Sequence, residues 1–396
     1  MRRGACLGLF ALGAVGALAL SGCSSAASGP TTCDLSSVAP DHCVDAHAMA
    51  LPAELPAARG NQYGDDLGAA ELGFDLFFDS NLGSGVSCAT CHSPELAFVD
   101  RKPVSVVKGG QLKGTRNAPT TFNAAHLNVF FWDGRADSLW SQALGPLENP
   151  VEQNTSRLAL AHVIDAKYKA SYESVFGALP DVSSWPATGK PGDAAFDALP
   201  SDEQDQVNRF FSNIGKSLEA YMRKNATSRA PLDAFLAGDS EQLSAPAQHG
   251  LEVFLAQGCQ SCHSGPMLTD ERFHEVGFPS LPGAAPDSGR AGGIPKLQQD
   301  IFNLAGPYAD PVPAGAKVSM PSVGAGDMGA FRTPSLRNVS KTFPYGHDGA
   351  LPSLSDVIAL HAPGLSAEDQ ADLLVFFQAL NGNYPLPPWN NWPSPQ

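Results

Sequence analysis

The sequence predicts a mainly α-helical protein made of two copies of one unit, joined by long loops. A five-residue pattern, Cys-x-x-Cys-His, occurs at residues 88–92 and again at residues 259–263. Each copy follows an apolar, helix-like segment with a glycine and a phenylalanine four residues apart: Gly73 and Phe77, then Gly250 and Phe254. Alternating strand patterns are scarce, and 39 glycines and 33 prolines indicate many loops.

The repeated motif indicates covalently bound haem. Its two thiols are spaced to meet the two vinyl groups of a haem, and the next imidazole can bind the iron. A zinc site or a reversible dithiol would leave both motif histidines without a role. The sequence therefore predicts two c-type haems in two cytochrome c-like domains. The attachment residues are Cys88, Cys91, Cys259 and Cys262, and the proximal iron ligands are His92 and His263.

Helices can be assigned in chain order. Residues 65–79 and 243–256 precede the two motifs, and Ser244 is the expected N-cap of the second helix. Between the motifs, residues 155–177 and 201–224 have helical patterns, and a Ser-x-x-Gln capping box is expected at Ser201. Closing helices are expected within residues 352–362 and 366–382.

The predicted organisation has five parts. They are a signal peptide (1–22), a lipid-anchored linker (23–62), an N-terminal haem domain (63–238), a C-terminal haem domain (239–384) and a Pro/Trp-rich tail (385–396).

The N-terminus predicts export. A basic "MRR" precedes an apolar stretch that is too short for a good membrane span. The following "LSGC" resembles a bacterial lipobox and makes Cys23 the lipid-bearing residue, with an ordinary signal peptide as the alternative. Ser24 favours an outer-membrane lipoprotein that faces the periplasm, where c-type haems are attached.

Two cysteines remain once the motifs, the signal peptide and Cys23 are set aside. They are Cys33 and Cys43, in a leader rich in Ser, Ala and Pro. In an oxidising compartment they are expected to form a disulfide, and two free thiols are the alternative.

The formal charge is −15, and removal of Arg2 and Arg3 with the signal peptide makes it −17. Such a surface repels nucleic acid and favours encounter with a basic partner protein. Solubility alone is the other interpretation.

The region between and after the motifs resembles a known family. The likeness is carried by "GTRNAPTTFNAAHLNVFFWDGRADSLWSQALGPLENPVEQ", "GPMLTDERFHEVGFP" and "FRTPSLRNVSKTFPYGHDG". These segments are similar to the bacterial dihaem cytochrome c peroxidases and their MauG-type relatives, in order, over about residues 65–380. The resemblance implies haems at and near the domain interface, and hydrogen peroxide as the substrate.

The resemblance also implies site residues. Trp132 matches a tryptophan that relays electrons between the haems, and Gln142 and Glu152 match residues that face the peroxide. A carboxylate there can move a proton between the peroxide oxygens, and an amide can orient the peroxide by a hydrogen bond. Core packing, a surface amide and an acid at a helix start are the structural alternatives.

A calcium site between the haems is implied in the same way. It would use the side chain of Asn117 and the backbone carbonyls of Thr342 and Pro344, which are oxygen ligands of the kind calcium prefers. A water-filled gap is the alternative.

Two departures from the family pattern concern the sixth position of each iron. The loop "VSVVKGGQLKG" contains no histidine, so the first haem is expected to be open and high-spin at rest, as in MauG-type proteins. In the second half, His361 stands where the peroxidases have methionine and MauG-type proteins have tyrosine. His361 is the expected sixth ligand of the second haem, with Met328 and Met320 as alternatives. Gly346 also replaces a bulkier residue of the family.

Three functions remain in order of preference. The first is a peroxidase whose electrons come from a small periplasmic donor, a basic cytochrome or a cupredoxin, through the second haem. The alternative is a MauG-like oxidase that uses peroxide to modify Trp or Tyr residues of a partner protein. A pure electron-transfer cytochrome is third, because it would need both irons six-coordinate. The resemblance also makes a homodimer possible.

Overall fold

The computed structural model describes residues 33–35, 37–107, 112–312 and 320–384, and within these ranges the chain is mainly helical, as expected. A π-helical turn, Ile164–Tyr168, joins the fifth and sixth helices. The α-helices are α1 (Cys43–Ala48), α2 (Leu67–Phe78), α3 (Cys88–Cys91), α4 (Leu139–Glu148), α5 (Arg157–Val163), α6 (Lys169–Phe176), α7 (Ala194–Asp197), α8 (Ser201–Arg223), α9 (Pro231–Leu236), α10 (Ala245–Ala256), α11 (Arg290–Gln299), α12 (Leu354–His361) and α13 (Ala367–Gln378).

Strands in the described ranges are two residues long and form two antiparallel pairs. In the first pair, β1 (Val106–Val107) lies beside β2 (Leu112–Lys113). In the second, β3 (Phe273–His274) lies beside β4 (Phe331–Arg332). The predicted signal peptide, Cys23 and the tail at 385–396 lie outside the described residues.

The first core forms where α2 crosses α8. The crossing point is Gly73, where a Cβ atom would lie 1.9 Å from the Ser217 backbone oxygen, so only glycine permits this approach. One turn further, Phe77 packs on Tyr221 with ring centroids 5.0 Å apart. Buried residues of α4 and α5, such as Leu158, complete this core.

The second core repeats this crossing with α10 and α13. A Cβ atom at Gly250 would lie 2.1 Å from the Asp372 backbone oxygen, and Phe254 packs on Phe376 with centroids 5.5 Å apart. Ser217 and Tyr221 are four residues apart, as are Asp372 and Phe376. The two crossings match residue for residue, which supports the predicted duplication.

One of the two predicted helix starts differs from the expectation. The Ser244 side chain caps α10 by accepting from Ala247 N at 3.4 Å, as predicted. At α8, Pro200 is the N-cap residue and Ser201 lies inside the first turn. Gln204 Nε2 donates to Leu199 O at 2.9 Å, so its amide caps a neighbouring carbonyl and no capping box forms.

The predicted linker is folded where it is described. Residues 33–51, here called the N-terminal cap, contain α1 and the Cys33–Cys43 disulfide, which confirms that pairing. Leu35, Val38, Ala46 and Met49 are buried in the second core. This part of residues 23–62 is therefore an integral part of the C-terminal core, because its few apolar side chains find a partner surface there.

A second segment crosses in the opposite direction. Residues 300–310, here called the return loop, follow α11 in the C-terminal half, yet Phe302 and Tyr308 belong to the first core. Asp310 fixes the end of the loop by an ion pair with buried Lys216 at 3.0 Å. Each core therefore contains side chains from the other half.

A buried ion pair joins the cap to the second half. Arg337 and Asp233 are almost fully buried and lie 2.7 Å apart. Arg337 also donates to Met49 O in the cap and to Pro266 O in the second motif loop. Among the described helices, none has the length and apolar character needed to cross a membrane.

Candidate haem sites and the contact between them

The first motif presents a histidine with one ring nitrogen already bound. His92 follows α3, and its Nδ1 donates to Phe98 O at 3.1 Å. This bond fixes the tautomer and leaves Nε2 as the available ligand atom. Burial lowers the pKa of His92 and keeps the imidazole neutral, which is the form that binds a metal.

The second motif has the same arrangement. His263 Nδ1 donates to Leu268 O at 3.1 Å. Burial lowers the pKa of His263 to about 4, and the nearby His361 acts in the same direction. Both proximal histidines are thus held neutral with Nε2 free.

A cavity of about 900 Å³ lies beside the first motif. Its volume falls within the range of roughly 300–1,000 Å³ that is usual for ligand and cofactor pockets. Cys88, Cys91 and His92 form part of its wall, and Phe77 and Met222 contribute apolar surface. Two thiols, a neutral imidazole and an apolar wall fit a covalently attached haem.

Glu152 lies in the wall of this cavity. Asn149 Nδ2 donates to Glu152 Oε1 at 2.6 Å. Burial raises the pKa of Glu152, while the Asn149 hydrogen bond and the charge of Arg135 oppose that rise. A buried carboxyl group with a raised pKa is suited to accept a proton and return it.

Gln142 reaches the same cavity from α4. The helix begins at the N-cap Ser138, whose side chain accepts from Ser141 N. Gln142 and Pro146, one turn apart, both line the cavity. The structure thus brings the two predicted distal residues, Gln142 and Glu152, into one cavity with His92.

Trp132 lies at the contact between the two halves. Its indole Nε1 donates to Asn117 O at 3.0 Å, and its own backbone oxygen accepts from Arg332 N in β4 at 2.9 Å. Thr333, next along the chain, accepts from Thr269 Oγ1 at 2.7 Å in the loop after the second motif. Trp132 is therefore held from both sides: its side chain bonds to Asn117 in the N-terminal half, and its backbone oxygen bonds to Arg332 in the C-terminal half.

Helices α4 and α12 occupy matching positions in the two halves and can be aligned on their N-cap residues. Ser138 caps α4 and Ser353 caps α12, each by accepting from the backbone N–H three residues on. Pro146 and His361 each follow their cap by eight residues. The first half thus has a proline, which offers no ligand atom, where the second half has an imidazole.

His361 is at the surface end of α12. Its Nδ1 donates to Val357 O at 3.0 Å, which again leaves Nε2 free. Its ring packs edge-on against Phe278, with centroids 5.4 Å apart. All three candidate ligands are exposed to solvent in this structure, with Met328 66% and Met320 37% exposed, so exposure does not distinguish them.

Gly346, the residue that departs from the family pattern, lies beside the same aromatic ring. It has a φ of +91°, and a Cβ atom there would lie 3.0 Å from Phe278 Cδ1. The Phe278 ring therefore occupies space beside Gly346 that a larger side chain would need.

The loop without histidine borders the first cavity. Its residues 108–111 lie outside the described ranges, but Val104, Ser105 and Val107 line the wall. The part of the loop that the structure describes offers apolar side chains, a hydroxyl and the Lys113 side chain to this cavity.

Asn117, the predicted calcium ligand, is buried. Its backbone N–H donates to His347 O at 2.8 Å, three residues beyond Pro344. Its side-chain Nδ2 donates to the carbonyls of Lys102 and Pro103 at 2.9 and 3.2 Å. Because the amide nitrogen is used there, Oδ1 remains available as a ligand atom.

Sequence reasoning missed three residues of the site. Pro146 has no reactive group, Asn149 is one of many polar loop residues, and Arg332 reads as a surface charge. The helix register would have identified Pro146, because Ser138 and Ser353 are both visible as N-cap residues.

A family model for the di-haem cytochrome c peroxidases matches residues 68–241. The chain is 32% identical to cytochrome-c peroxidase IdrP1 of Denitromonas iodatirespirans, over 80% of this chain and 82% of that protein. It is 29% identical to the methylamine utilization protein MauG of Methylophilus methylotrophus, over 84% of this chain and 87% of that protein.

The fold is also similar to solved structures. The diheme peroxidase BthA from Burkholderia thailandensis aligns with a TM-score of 0.62 and 21% identity, over 86% of this chain and 97% of that one. At this identity the likeness concerns the fold alone.

Proposed function

This chain belongs to the di-haem cytochrome c peroxidase family, whose members are oxidoreductases with two c-type haems, and from that membership we propose that it reduces hydrogen peroxide at the first motif. In this reaction one peroxide takes up two electrons and two protons and gives two waters. The observation that supports the proposal most is the cavity shared by His92, Gln142, Glu152 and Pro146. Proton-transfer and hydrogen-bonding groups meet there, and the helix position equivalent to a ligand holds a proline.

When bound at His92, the haem supplies the iron that takes up peroxide and the electrons that reduce it. Glu152 accepts the proton of the incoming peroxide and gives it to the departing oxygen, helped by the raised pKa that burial produces. Gln142 donates a hydrogen bond that orients the peroxide. The apolar part of the wall limits the water around these groups.

Trp132 serves as the electron relay between the two sites. Its contacts with Asn117 and Arg332 hold the indole at the boundary between the halves. We expect Trp132→Phe to slow electron delivery while leaving peroxide binding intact, which single-turnover kinetics with pre-reduced protein can measure.

A calcium ion held by Asn117 Oδ1 and the carbonyls of Thr342 and Pro344 belongs to the same proposal. The orientation of the Asn117 amide supports it. Chelator treatment followed by metal analysis and activity assay is the test. Full activity in a protein without calcium would contradict this part.

A MauG-like oxidation of Trp or Tyr on a partner protein is the second candidate. It is favoured by the residue at position 361, which is not methionine, and by the loop that lacks histidine. The donor for the first candidate would be a small basic cytochrome or cupredoxin, because the chain is strongly acidic. A periplasm-facing lipoprotein anchored at Cys23 and a homodimer complete the proposal.

The primary experiment combines spectroscopy with an activity assay. EPR of the oxidised protein should show one high-spin and one low-spin haem, and two low-spin signals would contradict both enzymatic functions. Glu152→Gln should lower peroxide turnover by about 100-fold or more. The exposed Glu71→Gln on α2 is the matched control and should keep wild-type turnover.

The peroxidase and the MauG-like oxidase can be distinguished by the source of their electrons. Fast turnover with a reduced small cytochrome supports the peroxidase. A long-lived spectral change after peroxide is added without donor, together with oxidised Trp or Tyr in a co-exported partner, supports the MauG-like reaction.

A further inference from the structure

Arg332 is a buried cation in the wall of the first cavity. It belongs to β4, in the C-terminal half, yet its residue lines the cavity beside His92. Only 9% of its surface is exposed. A guanidinium in this position is costly unless an anion or several hydrogen-bond acceptors surround it.

The described residues do not supply that compensation. Arg332 Nη1 donates to Thr333 O at a long 3.3 Å, and buried Nε has no hydrogen-bond partner among the described residues. Within the same ranges no carboxylate oxygen lies within 4 Å of its guanidinium nitrogens. Burial lowers the pKa of Arg332, and only the charge of Glu271 opposes this.

Glu271 is already engaged elsewhere. Its carboxylate accepts from the backbone N–H groups of Asn128 and Val129 at 2.6 and 3.0 Å, and from Asn128 Nδ2 at 2.9 Å. Three donors occupy the oxygens that would otherwise turn towards Arg332.

The other two arginines of the cavity are neutralised. Arg116 pairs with both Asp133 and Asp287 at 2.7 Å. Arg135 pairs with Asp133 at 3.0 Å. Arg332 is therefore the arginine of this wall that still lacks an anionic partner among the described residues.

We propose that Arg332 binds a propionate carboxylate of the haem in the first cavity. This rests on the haem loading assumed in the proposed function, and it adds a residue from the other half of the chain to the cofactor site. A guanidinium fits a carboxylate through parallel N–H donors, and such charge-assisted bonds are strong. The orphaned Nε is one donor suited to that geometry.

The position of Arg332 gives this ion pair a second effect. Its backbone N–H holds the Trp132 carbonyl at 2.9 Å. Arg332 would thus hold the edge of the haem through its side chain and the relay tryptophan through its backbone N–H. A cation at the haem edge also favours the reduced state of the iron, because it compensates negative charge.

Arg332→Gln and Arg332→Lys test the proposal in the full-length holoprotein. We expect Arg332→Gln to lower the reduction potential of the high-spin haem, which redox titration measures. The equilibrium between the oxidised and reduced haem should shift at least about tenfold towards the oxidised form, which is about 59 mV for one electron. Arg332→Lys keeps the charge and should recover part of the shift.

Arg272→Gln is the matched control. Arg272 is exposed, precedes the residue that pairs with Arg332, and accepts from Thr333 N through its carbonyl. It should leave the potential unchanged. A second outcome also supports the proposal. In it, Arg332→Gln loses the first haem and keeps the second, while Arg332→Lys retains both haems.

An unchanged potential in a fully loaded Arg332→Gln protein would overturn the proposal, and the peroxidase function would stand because Glu152→Gln tests it separately. The wild-type protein supplies a measurement that needs no variant. If chloride or phosphate shifts the potential of its first haem in a saturable manner, Arg332 binds a free anion and the propionate assignment is wrong. Independence from both anions supports the propionate.

Discussion

Pro146 and His361 hold the same position in the two halves, eight residues after the serine that caps α4 or α12. One residue type cannot bind iron, and the other binds it readily. We infer that this single difference separates an open distal face in the first half from a closed one in the second.

His361→Ala should abolish the low-spin signal of the second haem, because the imidazole Nε2 is then lost as a ligand. EPR of the oxidised variant measures this. His249→Ala, at an exposed histidine that contacts Asp372, is the control and should keep the signal. An unchanged spectrum in His361→Ala, with a changed one in Met328→Leu or Met320→Leu, would assign the ligand to methionine.

Asn149→Ala should move the acid limb of the peroxide turnover profile to higher pH. The Asn149 amide stabilises ionised Glu152, so its removal favours the protonated form, which cannot accept a proton. On the acid side we expect a rate loss of about tenfold, since a hydrogen bond to a charged group is worth roughly 1.5 kcal/mol. The acid limb of the pH profile should be absent in the Asn149→Ala, Glu152→Gln double variant. If the acid limb of Asn149→Ala coincides with that of the wild type, another group titrates there.

Glu219→Gln should remove a pH dependence of stability. Glu219 is buried on α8, accepts from Asn61 Nδ2 at 3.1 Å, and has a pKa raised by burial to about 7. The folded state thus keeps this proton to higher pH than the unfolded chain. Its contribution is complete below the unfolded pKa and is lost as pH rises through the folded value, at about 1.4 kcal/mol per pKa unit.

Denaturant unfolding from about pH 4 to pH 8 measures that slope. The wild-type unfolding free energy should fall towards neutral pH, and Glu219→Gln should flatten the curve. Asp202→Asn, exposed on the same helix, should leave the slope in place. Equal slopes in the wild type and Glu219→Gln would contradict the assignment.

Arg337→Ala should lower the unfolding free energy by about 3–5 kcal/mol, because it leaves the Asp233 carboxylate buried and unpaired. The exposed Arg229→Ala should change it by less than about 0.5 kcal/mol. Thermal unfolding gives both values. A small effect at Arg337 would mean that water reaches Asp233.

Gly73→Ala and Gly250→Ala should each destabilise the protein by about 1–3 kcal/mol or more, because the new methyl group collides with a backbone oxygen of the crossing helix. Gly145→Ala is the matched control in a helix. Its Cβ would meet Phe131 Cζ at 3.4 Å, an ordinary contact, so it should be neutral or stabilising. Tolerance at either crossing would show that the helices can move apart.

Much of this arrangement could be predicted from local patterns. Gly73 and Gly250 were visible because each stands four residues before a phenylalanine and ahead of the same motif. Ser244 was visible as a cap because the apolar pattern starts directly after it. These features depend on neighbours in the chain, which the sequence displays.

The remainder depends on partners far away in the chain. The N-terminal cap has the composition of a linker, and Met49 is buried only because the second core offers a surface for it. The predicted cap at Ser201 failed because Gln204 found the Leu199 carbonyl. That Arg332 lacks an anionic partner among the described residues becomes visible only when its surroundings are assembled.

The cap and the return loop also bear on whether the two halves could be separated. A duplicated gene yields two halves that could in principle part again, as separate subunits do. Here Met49 completes one half from the start of the chain, and Phe302 completes the other from beyond the second motif. Either half made alone would lack part of its own interior.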